Sequence, residues 1–513
     1  MRAHDLRLLA PAATAWGAAW LAVGAPEAGM PPWLIAGSVW AVGGGVLLAL
    51  LVLSGVRGGA ADARLAPDAK RSVQQPDRRR MRLPSVLASL LLAAACAGVA
   101  ATHASVQLAL REASPLADAA ADRRTVEVGI ELVSAPQPMR AAAWSEEGET
   151  LRVEARAIAR EGRSIAPVPV AVTLPAAASG LAFGSRAVVL GRIAPMPASD
   201  ASAFRVTATD VRSVEAPDGV FAWAARLRAS FSTAASGLGG DGGALVPGLA
   251  IGDTAAVGEE LDSAMKGSSL SHLTAVSGAN CAIVTAAAFA IAALLGAARV
   301  VRVAVALCTL AGFVVLVTPE ASVVRAAVMA VVVLIAVATG RPGGGVSALS
   351  VAVVVLLAAD PRYARDFGFA LSVAATGGLL LLSVPLTRLL ARVMPLPLAA
   401  VVAVPLAAQL ACQPVLLLLE PAIPVYGVPA NLLAAPAAPI ATVAGLIGCL
   451  LLPVLPSVGF AFLQVAWLPA GWIALVAHGA TSLPFQRIPW LPDAVGAAPV
   501  SYTHLTLPTT ERV

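Results

Sequence analysis

Apolar runs long enough to cross a bilayer, interrupted by short polar breaks, fill most of the chain. The first three lie at about 6–25, 33–56 and 83–110, and a helix needs roughly 20 apolar residues to span the hydrocarbon. The first stretch is long and further spans follow it, so it reads as a membrane segment and not as a cleavable leader. From about 270 to 490 the chain is again apolar, broken at TPEAS (318–322), GRPGGG (340–345), DPRYARD (360–366), TRLLAR (387–392) and proline-rich stretches near 424–439. Seven or eight segments are expected there. Some are short or proline-broken, which a membrane tolerates only where the irregular backbone is shielded by protein or lines a cavity.

Between 111 and 215 the period changes to two. TVEVGIELV alternates Val126, Val128, Ile130 and Leu132 with Glu127, Gly129 and Glu131. Similar runs recur at 151–159, 168–174, 185–193 and 204–214, with Pro and Gly between them, a pattern of half-buried strands. Five strands in about 100 residues suit a small barrel of the oligonucleotide/oligosaccharide-binding (OB) type. The expected fold is therefore a polytopic α-helical membrane protein of about 10 membrane segments with an extracytoplasmic, OB-like β-barrel domain. Residues 219–238 mix apolar and basic positions at helical spacing, which fits either a helix lying on the membrane surface or a linker helix packed on the barrel.

Composition agrees: 58% of residues are hydrophobic and 13% charged, and mean hydropathy is +0.81. The net charge of +5 does not point to a nucleic-acid surface, because the stretch Arg57–Arg82 holds eight basic residues against three acids and so carries the whole excess. A basic loop between two spans is the mark of the cytoplasmic side. That places the amino terminus inside and 111–215 outside, with Arg299, Arg302, Arg341, Arg388, Arg392 and Arg487 on the inside and residue 268 outside. Arg362 and Arg365 would face outward, compensated by Asp360 and Asp366. The outer domain has twelve Arg and thirteen acids, which is not the basic footprint of tight DNA binding on its own. The five cysteines all lie in apolar segments without metal-ligand spacing, and read as buried structural thiols.

Chemistry concentrates where polar residues enter apolar runs. SLSHLTAVSGANC (269–281) stands directly before AIVTAAAFAIAALLGA, and an unpaired polar group facing lipid costs roughly 2 to 7 kcal/mol. On a helix Thr274, Ser277 and Cys281 share a face with Gly278 beside it, while His272 points about 140° away from Ser277. Small polar faces serve close helix packing as well as wet paths. Arg325, in ASVVRAAVM, needs a partner, water or a short reach to the surface. Gln409 and Gln413 lie on one face of LAAQLACQPVLL, and Asn431 stands between prolines in PVYGVPANLLAAP, a setting common for transport pathways.

Four stretches, in order, resemble the ComEC family of competence proteins. GLAIGDTAAVGEELDSAMKGSSLSHLTAVSGAN is similar to the family's LGD segment followed by S-H-L-x-A-x-S-G, and TPEASVVRAAVM to P-(S/E)-x-x-R-A. DPRYARDFGFALSVAATGGL resembles D-P-x-x-x-x-x-x-F-x-L-S, which adds Asp360, Phe369 and Ser372, and QLACQPVLLLLEPAIPVYGVPANLLAAPAAP resembles Q-x-x-x-x-P followed by N-L-x-x-P. The resemblance covers residues 1 to about 490. It implies two amino-terminal transmembrane helices (1–56), a basic cytoplasmic loop (57–82), a third helix (83–110), the outer β domain (111–215), an amphipathic helix and Gly-rich linker (216–267), a helical channel domain (268–490) and a tail (491–513) that reads as truncated or foreign.

Two departures from the family stand out. Asn280 replaces a histidine common in the family. The metallo-β-lactamase-like domain of many members has no counterpart, since the chain holds five His and no HxDxDH cluster. The resemblance implies a multi-pass channel in the cytoplasmic membrane that imports single-stranded DNA during natural transformation. It is expected to have no catalytic residues, metal or cofactor, and to work with an external DNA receptor, membrane lipids and, as no GxxxxGK[ST] occurs, a cytoplasmic ATP-driven helicase. The expected path or gating residues are His272, Thr274, Ser277, Gly278, Asn280, Arg325, Asp360, Phe369, Ser372, Gln409, Gln413 and Asn431. Two other readings stay open: a small-solute or lipid transporter, and an intramembrane serine protease in which Ser277 and His478 meet from separate helices.

Overall fold

A computed structural model describes residues 7–62, 82–139, 150–175, 178, 181–274, 278–340 and 344–491. The basic loop from 63 to 81, Ser277 and the tail from 492 lie outside the described residues. The first three apolar stretches form α1 (Leu9–Gly24), α2 (Pro32–Asp62) and α3 (Arg82–Glu112). A short α4 (Ala117–Ala121) leads into β1 (Thr125–Leu132), β2 (Gln137–Met139), β3 (Thr150–Arg160), β4 (Arg163–Pro175), β5 (Arg186–Pro195) and β6 (Phe204–Glu215). Then come α5 (Gly219–Ser236), α6 (Gly240–Ile251), α7 (Glu259–Gly267), α8 (Ser271–Thr274), α9 (Gly278–Leu294), α10 (Arg299–Val317), α11 (Ala321–Ala338) and α12 (Gly345–Ala359). The chain continues through α13 (Phe367–Leu390), α14 (Leu396–Leu419), β7 (Ala422–Pro424), α15 (Gly427–Ala434), α16 (Ala437–Leu451), α17 (Pro456–Ser482) and β8 (Arg487–Pro489).

Among the described residues seven helices are long and apolar enough to cross a membrane: α2, α3, α10, α11, α13, α14 and α17. The pair α15 and α16, bent by 46° at their junction, makes an eighth when taken as one span, and α1, α9 and α12 are shorter apolar helices. This is a polytopic helical membrane protein.

The chain divides into two units. The first comprises residues up to Ser114, the Pro197–Ala201 loop and Gly343–Asp366. Its helices meet on alanine: Ala18 and Ala22 of α1, Ala36 of α2, and Ala97, Ala101 and Ala104 of α3 form one buried cluster, because a methyl side chain lets backbones approach closely. At one end the 3-10 turn Pro361–Arg365 gathers charges. Asp360 caps that turn by accepting from the Arg362 N–H at 3.0 Å and clamps the Arg362 guanidinium through both carboxylate oxygens, at 2.9 and 2.8 Å. Arg362 also donates to the Ala201 carbonyl. Arg365 pairs with Glu27 at 3.0 Å and lies 4.3 Å over the Trp20 ring. Its carboxylate partner at this distance is Glu27.

The second unit holds the sheet and the remaining helices. Each expected strand is present at nearly the expected residues, plus the short β2. The order is β1-β5-β6-β4-β3-β2, with β1 also pairing β3, so the region is a six-stranded mixed sheet in which, among the described residues, only β4 and β6 run parallel. Val126, Val128, Ile130 and Leu132 of β1 pack against Val153 and Ala155 of β3 and Val170, Val172 and Leu174 of β4, the apolar face that the alternation predicts. The register with β3 shifts between Gly129 and Ile130, and Gly129, which has no side chain, is buried between Val128 and Ile130 without disturbing the alternation.

The apolar face of α5 packs mainly into the helical core, while Phe221 near its start lies against Phe183 of the β domain, ring centroids 5.0 Å apart. Leu227 and Phe231 join Leu245 and Leu249 of α6, Met265 of α7, Ala441 of α16 and Leu463 of α17 in the largest core cluster. Helix α6 is buried along nearly all of its length from Gly242 to Ile251, and so sits inside the helical core.

Candidate functional site

The 269–281 stretch begins with a turn at Ser269, whose φ of 59° lies in the left-handed region. That turn aims the Ser269 carbonyl at two residues expected from separate motifs. His272 donates to it from Nδ1 at 3.0 Å, in the tautomer that carries the proton there, and Asn431 donates from Nδ2 at 3.4 Å across 162 positions. Asn431 also bonds the Gly427 carbonyl at 2.9 Å. Glycine at 427 permits this approach, since a Cβ there would stand 3.3 Å from Ser269 Oγ. His272 is otherwise exposed, and Thr274 bonds back to the Ser271 carbonyl at 2.9 Å.

Six positions beyond Thr274, Asn280 is buried and donates to the Leu249 carbonyl at 3.3 Å. The last carbonyls of a helix lack intrahelical donors. At the end of α6, Gly252 adopts a left-handed φ of 77°, and the Gly252 and Asp253 N–H groups satisfy Gly248 and Pro247. Leu249 is served instead by Asn280 and by Thr442 of α16, at 3.0 Å. Asp253 then accepts from Ser232 Oγ at 2.6 Å and from the Ala255 N–H at 3.1 Å, while Arg228 donates to the Leu316 carbonyl at 3.1 Å. Sequence reasoning missed Thr442, Ser232 and Arg228. Asp253 stood in the IGD of the first motif and could have been singled out there.

A second polar group lies on α11, α13 and α14. Arg325 is buried, at 6% exposure, and so is Gln413, also at 6%. Thr376 reaches Met329 Sδ at 4.0 Å, joining α13 to α11 one turn past Arg325. Cys412 approaches the Leu371 carbonyl at 3.7 Å, joining α14 to α13. Gln409 Nε2 donates to Gln413 Oε1 at 2.6 Å, and the buried Gln413 Nε2 has no hydrogen-bond partner among the described residues. Phe369 is fully buried, Ser372 is half-buried and accepts from Thr376 through its carbonyl at 2.9 Å, and Gly278 is exposed at the start of α9.

The structure thus unites His272 with Asn431 and Gln409 with Gln413. Asp360 belongs to the first unit and holds Arg362. His478 meets Asp241 at 2.8 Å, in an open cleft of about 300 Å³ between the start of α6 and α17, walled by Gly242, Trp467 and Gly471.

One expectation about sidedness is overturned. Arg487 Nη2 lies 3.4 Å from the Lys266 carbonyl, Arg487 pairs with Glu420, and β8 pairs with β7. Lys266 and Arg487 therefore lie at the same end of the bundle, and Arg487 cannot be on the opposite side of the membrane from residue 268. Counting the bent pair as one crossing makes the number of crossings between them even.

Among protein families, the one described as competence protein matches residues 249–509, just over half of the chain. No curated protein and no solved structure matches.

Proposed function

The chain belongs to the competence protein family, and from that premise we propose that it is a conduit for single-stranded DNA across the cytoplasmic membrane during natural transformation. The observation that carries the reading is the coincidence of the family match with polar groups held at membrane depth, above all the Gln409–Gln413 pair on the proline-interrupted α14. A bare amide inside lipid is unfavourable, and a hydrated path for a polar strand removes that cost.

In this reading Arg325, Ser372, Gln409 and Gln413 face the strand, and His272 with Asn431 stands where the chain folds over the mouth. Few fixed charges line the path, which lets a polyanion leave as well as enter. The outer domain acts as an OB-type guide. The extra β1–β3 pairing supports closure of its sheet, and OB folds bind single strands by stacking more than by charge. The amino terminus is cytoplasmic, an external receptor delivers DNA, and a cytoplasmic ATP-driven helicase supplies the work. The chain itself performs no chemistry.

Deletion of the gene in a competent host should abolish entry of labelled DNA into the cytoplasm while leaving surface binding intact. Normal entry in the deletion strain overturns the proposal.

A further inference from the structure

We infer that Gln413 is a binding site for a phosphodiester oxygen of the passing strand, an uncharged donor beside a proline that lies inside α14. The inference rests on the conduit reading and names the contact within it. Gln409 Nε2 donates to Gln413 Oε1 at 2.6 Å, so the Gln413 amide has its acceptor occupied and its donor, Nε2, buried without a partner among the described residues. Proteins rarely leave a buried donor unmade, because it forfeits the full desolvation of the group. Pro414, next in the chain, lies inside α14. Lacking an N–H, it leaves the Leu410 carbonyl without its ladder donor. A spare side-chain donor and an interrupted backbone within one turn, at membrane depth, mark irregular structure of the kind tolerated beside a wet path.

The ligand must be an acceptor, since the vacant valence is an N–H. The cargo of the conduit offers phosphodiester oxygens at every nucleotide. Arg325, buried on α11, supplies the one cationic side chain among the proposed path residues. A neutral amide suits repeated capture and release better than a second cation would, because each contact is weak enough to break as the strand advances.

The test compares Gln413→Leu and Gln413→Glu in the full chain, reconstituted in nanodiscs and also expressed in the deletion strain. The readouts are thermal stability, membrane level, binding of fluorescent oligothymidine and DNA entry. If the donor is kept for the strand, Gln413→Leu made in a Gln409→Leu background, which already lacks the bond between the two amides, melts at or above the temperature of that parent, because it removes an unsatisfied group. It should still bind oligothymidine about tenfold more weakly, the loss of one hydrogen bond of ordinary strength, and lower DNA entry in parallel. Gln413→Glu, an acceptor, should be weaker still.

Binding and entry within twofold of wild type for Gln413→Leu overturn the inference. A lower melting temperature or membrane level for Gln413→Leu than for its Gln409→Leu parent also overturns it, by showing that the amide serves the fold beyond the bond with Gln409. Normal DNA entry in the deletion strain would instead sink the conduit reading, and the two failures are thus distinct.

Discussion

Asn280 and Thr442 donate to the same carbonyl, that of Leu249, from two helices that are far apart in the chain. The end of α6 is thereby closed inside the core by side chains of α9 and α16. Each bond contributes about 0.5–1.5 kcal/mol, while a buried carbonyl left with neither costs about 1–3 kcal/mol. Thr442→Val and Asn280→Ala should each lower stability by about 1 kcal/mol, and together by more than their sum. A double-mutant cycle on thermal unfolding measures this. Additive losses would mean that water or another donor already serves Leu249.

Asp360 was expected along a DNA path from its motif, and the geometry makes it the partner of Arg362 and the cap of a 3-10 turn. Breaking such a half-buried, hydrogen-bonded pair costs more than losing a surface ion pair, because the remaining guanidinium keeps its desolvation. Asp360→Ala should destabilise by about 1–3 kcal/mol, and adding Arg362→Leu should restore part of the loss. A defect in DNA entry with unchanged stability would assign the motif to the cargo instead.

Glu27 gives the first unit an acid-sensitive end. The Ser199 hydroxyl donates to Oε1 at 2.6 Å, and this bond, helped by the charge of Arg365, holds the carboxyl below the ordinary range. A depressed carboxyl contributes stability that is fully present above its unfolded value of about 4.3 and is lost as pH falls through the folded value. Unfolding temperatures should therefore drop on acidification below about pH 4, and Glu27→Gln should flatten that part of the profile while lowering stability near neutrality. An unchanged acid limb in Glu27→Gln would place the sensitive group elsewhere.

The strands and spans were legible because their signals are local. The alternation from Thr125 to Leu132 is written in eight consecutive residues, and each span in one apolar run. The three-residue β2, which contains Pro138, has no such signal and exists by pairing with β3. The destination of the apolar face of α5 was equally unreadable, since Phe231 would suit a lipid surface, a sheet or a helical core. At the candidate site the residue types were visible and their partners were not. Nothing local to Asn280 names Leu249, and a lone Thr442 in an apolar helix looks like any hydroxyl bonding back to its own turn. The odd or even number of crossings also escaped, because it depended on treating α15 and α16 as one bent span.

That count has its own consequence. With Lys266 and Arg487 at one end of the bundle, Lys266→Cys and Arg487→Cys should react with a membrane-impermeant maleimide from the same face of intact cells or sealed vesicles. Both positions are accessible, with side chains 63% and 35% exposed. Of the native cysteines Cys281 and Cys449 are buried and Cys308 is exposed, on the apolar α10, where a charged reagent does not reach; the wild-type chain sets the background. Labelling from opposite faces would require an odd number of crossings between residues 266 and 487, and would separate the β7–β8 pair from the turn at Ser269. Labelling from one face fixes the sidedness of the polar end where His272 and Asn431 meet. The side on which the outer β domain labels then decides whether that end receives the strand or releases it.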